Sequence, residues 1–115
     1  MKSLLIDDIR EFGEHLPIPE GETITCKTFD LGIHYLTFKG PFDVLYLDHD
    51  LGEVGDFGSE VPVEVNGERY LPTGYGIMCY LEAHPEFKPG RIVIVSSNPV
   101  GRKKIQVVID KLYRS

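Results

Sequence analysis

Cysteine is scarce in this 115-residue chain: Cys26 and Cys79 are the only two, and they fit no metal-binding spacing. Both are expected to be reduced thiols in the fold. Long apolar runs are missing as well. None approaches the roughly 18 residues of a membrane span, so no membrane partner is expected. The opening MKSLLI is too short for a signal-peptide core, and the expected location is the cytoplasm. Low-complexity tracts are absent: 42% hydrophobic and 26% charged residues describe one globular domain over residues 1–115. A chain of this length buries roughly two-thirds of its unfolded surface.

Positive charge is also in short supply. The formal net charge is −6, which excludes an extended, non-specific nucleic-acid binder, since such a protein needs a basic face to displace counterions. The imbalance is local. Asp43, Asp48, Asp50, Glu53, Asp56 and Glu60 fall between residues 42 and 60 with no Lys or Arg among them, while the densest basic run is Arg102-Lys103-Lys104.

What is present is a strand–helix alternation. Ser3 to Ile6 is a short apolar run that stops at Asp7-Asp8. Ile9 to His15 can make two helical turns before Pro17 and Pro19. Thr23 to Thr28 alternates and is rich in β-branched residues, as a strand would be. Asp30 can cap a helix to about Phe38, with Leu31, Tyr35 and Phe38 on one face. Phe42 to Leu47 reads as a third strand. Residues 51–72 form an insertion: the glycine-rich, acidic GEVGDFGSE, then VPVEVNGERYLP, whose Asn66-Gly67 pair marks a two-residue hairpin turn. Thr73 to about His84 is a helix with Ile77, Met78 and Leu81 inward. Arg91 to Val95 is the fourth strand of the alternation, and Val100 to Tyr113 a last helix with Ile105, Val108, Ile109 and Leu112 facing the core.

Such alternation implies a parallel sheet covered by helices, with ligands bound beyond the carboxyl ends of the strands. Three of those ends are polar: Asp7-Asp8, Asp48-His49-Asp50 and Ser96-Ser97-Asn98. Carboxylates brought together there repel and raise one another's pKa values. A hard divalent cation resolves the repulsion, and Mg²⁺ (or Mn²⁺) suits a few carboxylates beside a phosphate. Asp7, Asp8, Asp48 and Asp50 are the candidate ligands. The competing reading is a solvated acidic loop tip.

The order Ser3-Leu-Leu-Ile-Asp7-Asp8, Pro41-Phe-Asp-Val-Leu-Tyr-Leu-Asp48 and Ile92-Val-Ile-Val-Ser96-Ser97 resembles response-regulator receiver domains. The resemblance covers nearly the whole chain apart from the insertion. It implies a truncated receiver or flavodoxin-like three-layer α/β sandwich, with a four-stranded parallel sheet of order 2-1-3-4 and an inserted β-hairpin. It also implies an acidic pair at Asp7 and Asp8, a phospho-accepting Asp48 and a strand-end hydroxyl at Ser96. The family's fifth strand, which ends in a site lysine, has no counterpart here. With His49 and Asp50 in place of the usual residues after Asp48, the chain most resembles cyclic-phosphate-processing receiver domains. That group is associated with RNA repair and with phage or bacterial defence.

Asp48 can act as a nucleophile or as a metal ligand beside an activated water. His49 is a candidate general acid or base, although in extended backbone it faces away from Asp48 and Asp50. Ser96, Ser97 and Asn98 precede the last helix and can cradle phosphate, or one of them can simply cap the helix. Lys103 is the best candidate in the basic run to replace the missing lysine. His15, His34 and His84 read as ordinary surface or packing residues, and Tyr70, Thr73 and Tyr75 as packing beneath the hairpin or a nucleotide wall.

The expected function is therefore metal-dependent processing of a cyclic phosphate, a 2′,3′-cyclic RNA end or a cyclic nucleotide, with the hairpin as a lid that excludes water. The expected partner is a small phosphorylated ligand or an RNA terminus. The alternative is an atypical receiver, phosphorylated on Asp48 or binding a protein partner without catalysis. A haloacid-dehalogenase-like phosphatase also carries Asp-x-Asp, but after its first strand in sequence.

Overall fold

The computed structural model describes residues 1–51 and 61–114. In chain order the elements are β1 (Lys2–Ile6), β2 (Glu22–Cys26), α1 (Phe29–Phe38), β3 (Val44–Leu47), β4 (Val63–Val65), β5 (Glu68–Tyr70), α2 (Gly74–Ala83), a 3₁₀ turn (Pro85–Phe87), β6 (Arg91–Ile94) and α3 (Pro99–Leu112). Strands β2, β1, β3 and β6 lie side by side in that order, and every pairing is parallel. This is the expected 2-1-3-4 sheet, with β6 as its fourth strand.

Leu4, Leu5 and Ile6 of the central strand β1 are fully buried, because a parallel strand inside a sheet is covered on both faces. Leu4, Ile6, Leu45 and Leu47 share one core with Ile77, Met78 and Leu81 of α2 and Ile105 and Val108 of α3. The inward residues expected for those two helices are thus the ones found. On the opposite face, the Phe12 ring meets Tyr46 edge-on at 5.2 Å.

Two local expectations are corrected. Residues 9–15 do not form helical turns. Asp7 Oδ1 accepts the N–H groups of Ile9 and Arg10, but Gly13 then takes φ +85°, and its N–H bonds back to the Leu16 carbonyl. That left-handed residue reverses the chain where a helix would need to continue. Helix α1 is capped by Thr28, whose hydroxyl accepts the Leu31 N–H, rather than by Asp30. Its buried stripe is Phe29, Gly32, Ile33 and Leu36, while Leu31 is 46% and Phe38 71% exposed. The predicted and observed stripes share the same i, i+4, i+7 spacing but start two residues apart, about 200° around the helix.

The Asn66-Gly67 turn forms as expected, with both residues at positive φ between antiparallel strands β4 and β5. Read from the sequence, this hairpin stands over one end of the domain as a lid. Its described residues pack on α2 and its cap: the Tyr70 and Tyr80 rings meet edge-on at 5.7 Å, and Glu68 Oε1 lies 2.6 Å from His84 Nε2. The glycine-rich half of the insertion, residues 52–60, lies outside the described residues. Cys26 is buried and Cys79 half-buried, and both are free thiols. No helix among the described residues is long and apolar enough to cross a membrane.

Candidate functional site

Strand register builds the site. Ile6 pairs with Leu47, and Leu47 pairs with Ile94, so three strands end level. The ladder continues one residue further, with Asp7 N–H to Cys26 O at 3.1 Å, Asp48 N–H to Ile6 O at 3.0 Å and Val95 N–H to Leu47 O at 3.0 Å. The backbones of Asp7 and Asp48 are therefore fixed by sheet hydrogen bonds, and the carboxylates of Asp7, Asp8 and Asp48 converge with ligand oxygens within 4.8 Å of one another.

The three acids differ in what surrounds them. Asp7 is fully buried and already engaged: Oδ1 accepts two backbone N–H groups, and Oδ2 lies 3.1 Å from Arg10 Nη1. Asp8 carries a buried Oδ1 with no hydrogen-bond partner among the described residues. Asp48, only 4% exposed, has its pKa pushed up to about 6. Burial is the main cause and the Asp7 charge the next, while the Ser96 hydroxyl and Arg10 partly oppose the rise. Desolvation and like charge both penalise the ionised carboxylate.

A cavity of about 240 Å³ opens above these strand ends, and Asp8, Asp48, Asp50 and Ser97 line it. Asp50 stands at the rim, its side chain 62% exposed, with Oδ1 3.0 Å from His49 Nδ1 and both carboxylate oxygens 3.5 Å from Asn98 Nδ2. β3 ends at Leu47, and His49 reaches Asp50 without lining the cavity. The His49 ring lies against Gly101 of α3, so closely that a Cβ added at Gly101 would overlap it. Ser96 is buried, and its Oγ accepts the Asn98 N–H at 3.1 Å. Asn98 is the cap of α3: its Oδ1 accepts the N–H groups of Val100 and Gly101. Lys103 lies on the exposed face of α3 and is not among the residues lining the cavity. Arg102 turns back to the Ser96 carbonyl at 2.8 Å, and Lys104 sits over the Tyr75 ring.

The basic groups that do face the cavity were missed in the sequence. They are Arg10 and His15, from the turn between β1 and β2. The Arg10 guanidinium spans two strand ends, with Nη1 3.1 Å from Asp7 Oδ2 and 3.7 Å from Asp48 Oδ2. The signal that could have found it is the spacing Asp7-x-x-Arg10, which a carboxylate-capped turn folds back on itself.

A family model described as cyclic-phosphate processing Receiver domain matches residues 2–111. The chain belongs to this family. No curated protein and no solved structure gives a match to the chain. In this receiver domain Asp7-Asp8, Asp48 and Ser96 lie just past the ends of β1, β3 and β6. The name links the family to cyclic-phosphate processing. Among the described residues the cluster offers carboxylate oxygens, one of them buried without a partner, the kind of donor set a hard cation takes.

Proposed function

We propose that this receiver domain is a divalent-cation-dependent enzyme that hydrolyses a cyclic phosphate, a 2′,3′-cyclic RNA end or a cyclic nucleotide. The observation that carries the reading is the Asp7–Asp8–Asp48 cluster, whose buried Asp8 oxygen has no partner among the described residues. Three carboxylates against the one Arg10 guanidinium leave an excess of two negative charges when all are ionised, which one Mg²⁺ or Mn²⁺ balances. Asp7, Asp8 and Asp48 would hold the ion, with Asp50 at the rim. When bound, it supplies Lewis-acid polarisation of a phosphoryl oxygen.

The rest falls to the chain's own side chains. Ser97 and the start of α3 orient the phosphate. Ser96 favours the charged form of Asp48. His49 and Asn98 hold Asp50 at the rim. In the reaction one water oxygen adds to phosphorus, one ring P–O bond breaks, and the released sugar oxygen takes a proton, so atoms balance. The net charge of −6 and the small cavity suit a nucleotide or an RNA terminus rather than a long backbone.

Incubation with Mg²⁺ and a panel of 2′,3′- and 3′,5′-cyclic nucleotides, with products separated by ion-exchange chromatography, tests the reading. Ring-opened monophosphate that disappears with EDTA is the expected result. A second reading, phosphorylation of Asp48 itself, is favoured by the juxtaposition of Asp48 and Ser96. It predicts acetyl-phosphate labelling of Asp48 with no ring opening.

A further inference from the structure

The cavity presents a physical difficulty for any phosphate. Asp8, Asp48 and Asp50 all line it, and an anion entering among carboxylates is repelled unless donors stand on the other side. Among the described residues two lining side chains supply nitrogen donors, Arg10 and His15, beside the Ser97 hydroxyl. We propose that Arg10 and His15 form a clamp for phosphate oxygens and set the preference of this site for phosphate esters. The proposal rests on the reading of the site as a phosphate-processing centre and adds the residues that read the ligand.

Among the described residues, the hydrogen bonds around Arg10 and His15 leave donors free. Arg10 engages Asp7 and Asp48 through a single nitrogen, Nη1, and a guanidinium has five N–H donors in a planar fork matched to phosphate. His15 Nδ1 accepts the Glu11 N–H at 3.2 Å. In the neutral ring that bond assigns the proton to Nε2, leaving it as a donor.

The turn that bears them is internally braced. The Glu11 carbonyl accepts the N–H groups of Glu14, His15 and Leu16. Asp7 holds the Ile9 and Arg10 N–H groups, and Phe12 anchors the turn on Tyr46. Donors fixed in this way lose little freedom when a ligand arrives. The carboxylates of Asp8 and Asp48 and the two nitrogen donors thus line one cavity, so one ligand with several oxygens can meet a cation and both donors together. A phosphate has that shape and charge.

Titration calorimetry with inorganic phosphate and with a 2′,3′-cyclic nucleotide, both in Mg²⁺, tests the clamp in wild type, Arg10→Gln, His15→Phe and His15→Gln. The first two substitutions are each expected to weaken binding about tenfold or more, the scale for losing a hydrogen bond to a charged group. His15→Gln, which restores an N–H donor near the Nε2 position, is expected to recover most of the loss. Mg²⁺ affinity measured without phosphate is expected to be unchanged in His15→Phe, which separates the clamp from the cation site. Wild-type affinity for phosphate in Arg10→Gln or His15→Phe overturns the clamp whatever the turnover. Phosphate binding that depends on both residues without any ring opening supports the clamp and overturns the proposed reaction instead. A wild-type protein that binds neither probe overturns both.

Discussion

Arg10 Nη1 lies 3.7 Å from Asp48 Oδ2, joining a turn after β1 to the end of β3, yet the Asp48 carboxyl still has its pKa pushed up to about 6. One partly exposed guanidinium does not offset burial plus the neighbouring Asp7 charge. The fold therefore holds Asp48 at a cost when it is ionised, a cost that a bound cation would lower.

The first prediction concerns stability. Asp48 has its acid form favoured in the fold: its pKa rises from 3.8 to about 6. The penalty is absent below the lower value, grows between the two, and is fully present above about pH 6. Asp48→Asn removes it. In EDTA at pH 7 the variant is expected to melt higher than wild type, by about 1–3 kcal/mol of stability. Near pH 4 the two should converge. Thermal melts at both pH values check this, and a variant that is less stable at pH 7 contradicts it.

Cation affinity should carry the same titration in mirror image. Binding needs ionised Asp48, so below about pH 6 the cation must displace a proton. Mg²⁺ affinity is expected to be flat above that value and to fall about tenfold per pH unit beneath it. Calorimetry across pH 5–8 in buffers of different ionisation enthalpy would show both the slope and the released proton. A flat profile would remove Asp48 from the ligand set.

Asp8 separates binding from folding. Its buried Oδ1 makes no hydrogen bond among the described residues, so Asp8→Asn is expected to leave metal-free stability within about 1 kcal/mol of wild type. The same change should weaken Mg²⁺ binding tenfold or more. Unaltered affinity in a calorimetric titration would show that the cluster does not hold the ion.

The His49–Gly101 contact joins the end of β3 to α3. Gly101→Ala places a methyl group where the imidazole packs, an overpacking change that costs about 1–3 kcal/mol. It should also move His49 off Asp50. Urea unfolding reads the first effect, and the chemical shifts of the His49 ring by NMR read the second. Full stability with an unmoved ring would contradict the packing described.

The sheet was legible in the sequence because parallel strands announce themselves: Leu4 to Ile6 and Leu45 to Leu47 are short apolar runs, and each ends at a carboxylate. Level strand ends then follow from register, so the meeting of Asp7, Asp8 and Asp48 could be anticipated. The segment from Ile9 to His15 could not be read in the same way. Its course depends on Asp7 capping a turn and on one left-handed glycine, so the positions of Arg10 and His15 follow from tertiary geometry rather than periodicity. Lys103 looked apt because the basic run falls within the first turns of the helix that follows Ser97, but the inward face of α3 belongs to Gly101 and Ile105. The α1 stripe was misread for a similar reason: Leu31-Tyr35-Phe38 and Phe29-Ile33-Leu36 are equally periodic, and only packing chooses between them.

The most direct test of the site as a cation-assisted cyclic-phosphate centre is a ³¹P NMR time course of a 2′,3′-cyclic nucleotide with Mg²⁺, run on wild type and Asp48→Asn side by side. Wild type is expected to convert the cyclic signal to a monophosphate ester, to stop on chelation and to resume on Mg²⁺ addition, while the variant leaves the cyclic signal intact. Equal conversion by both proteins, or conversion indifferent to chelation, would contradict it.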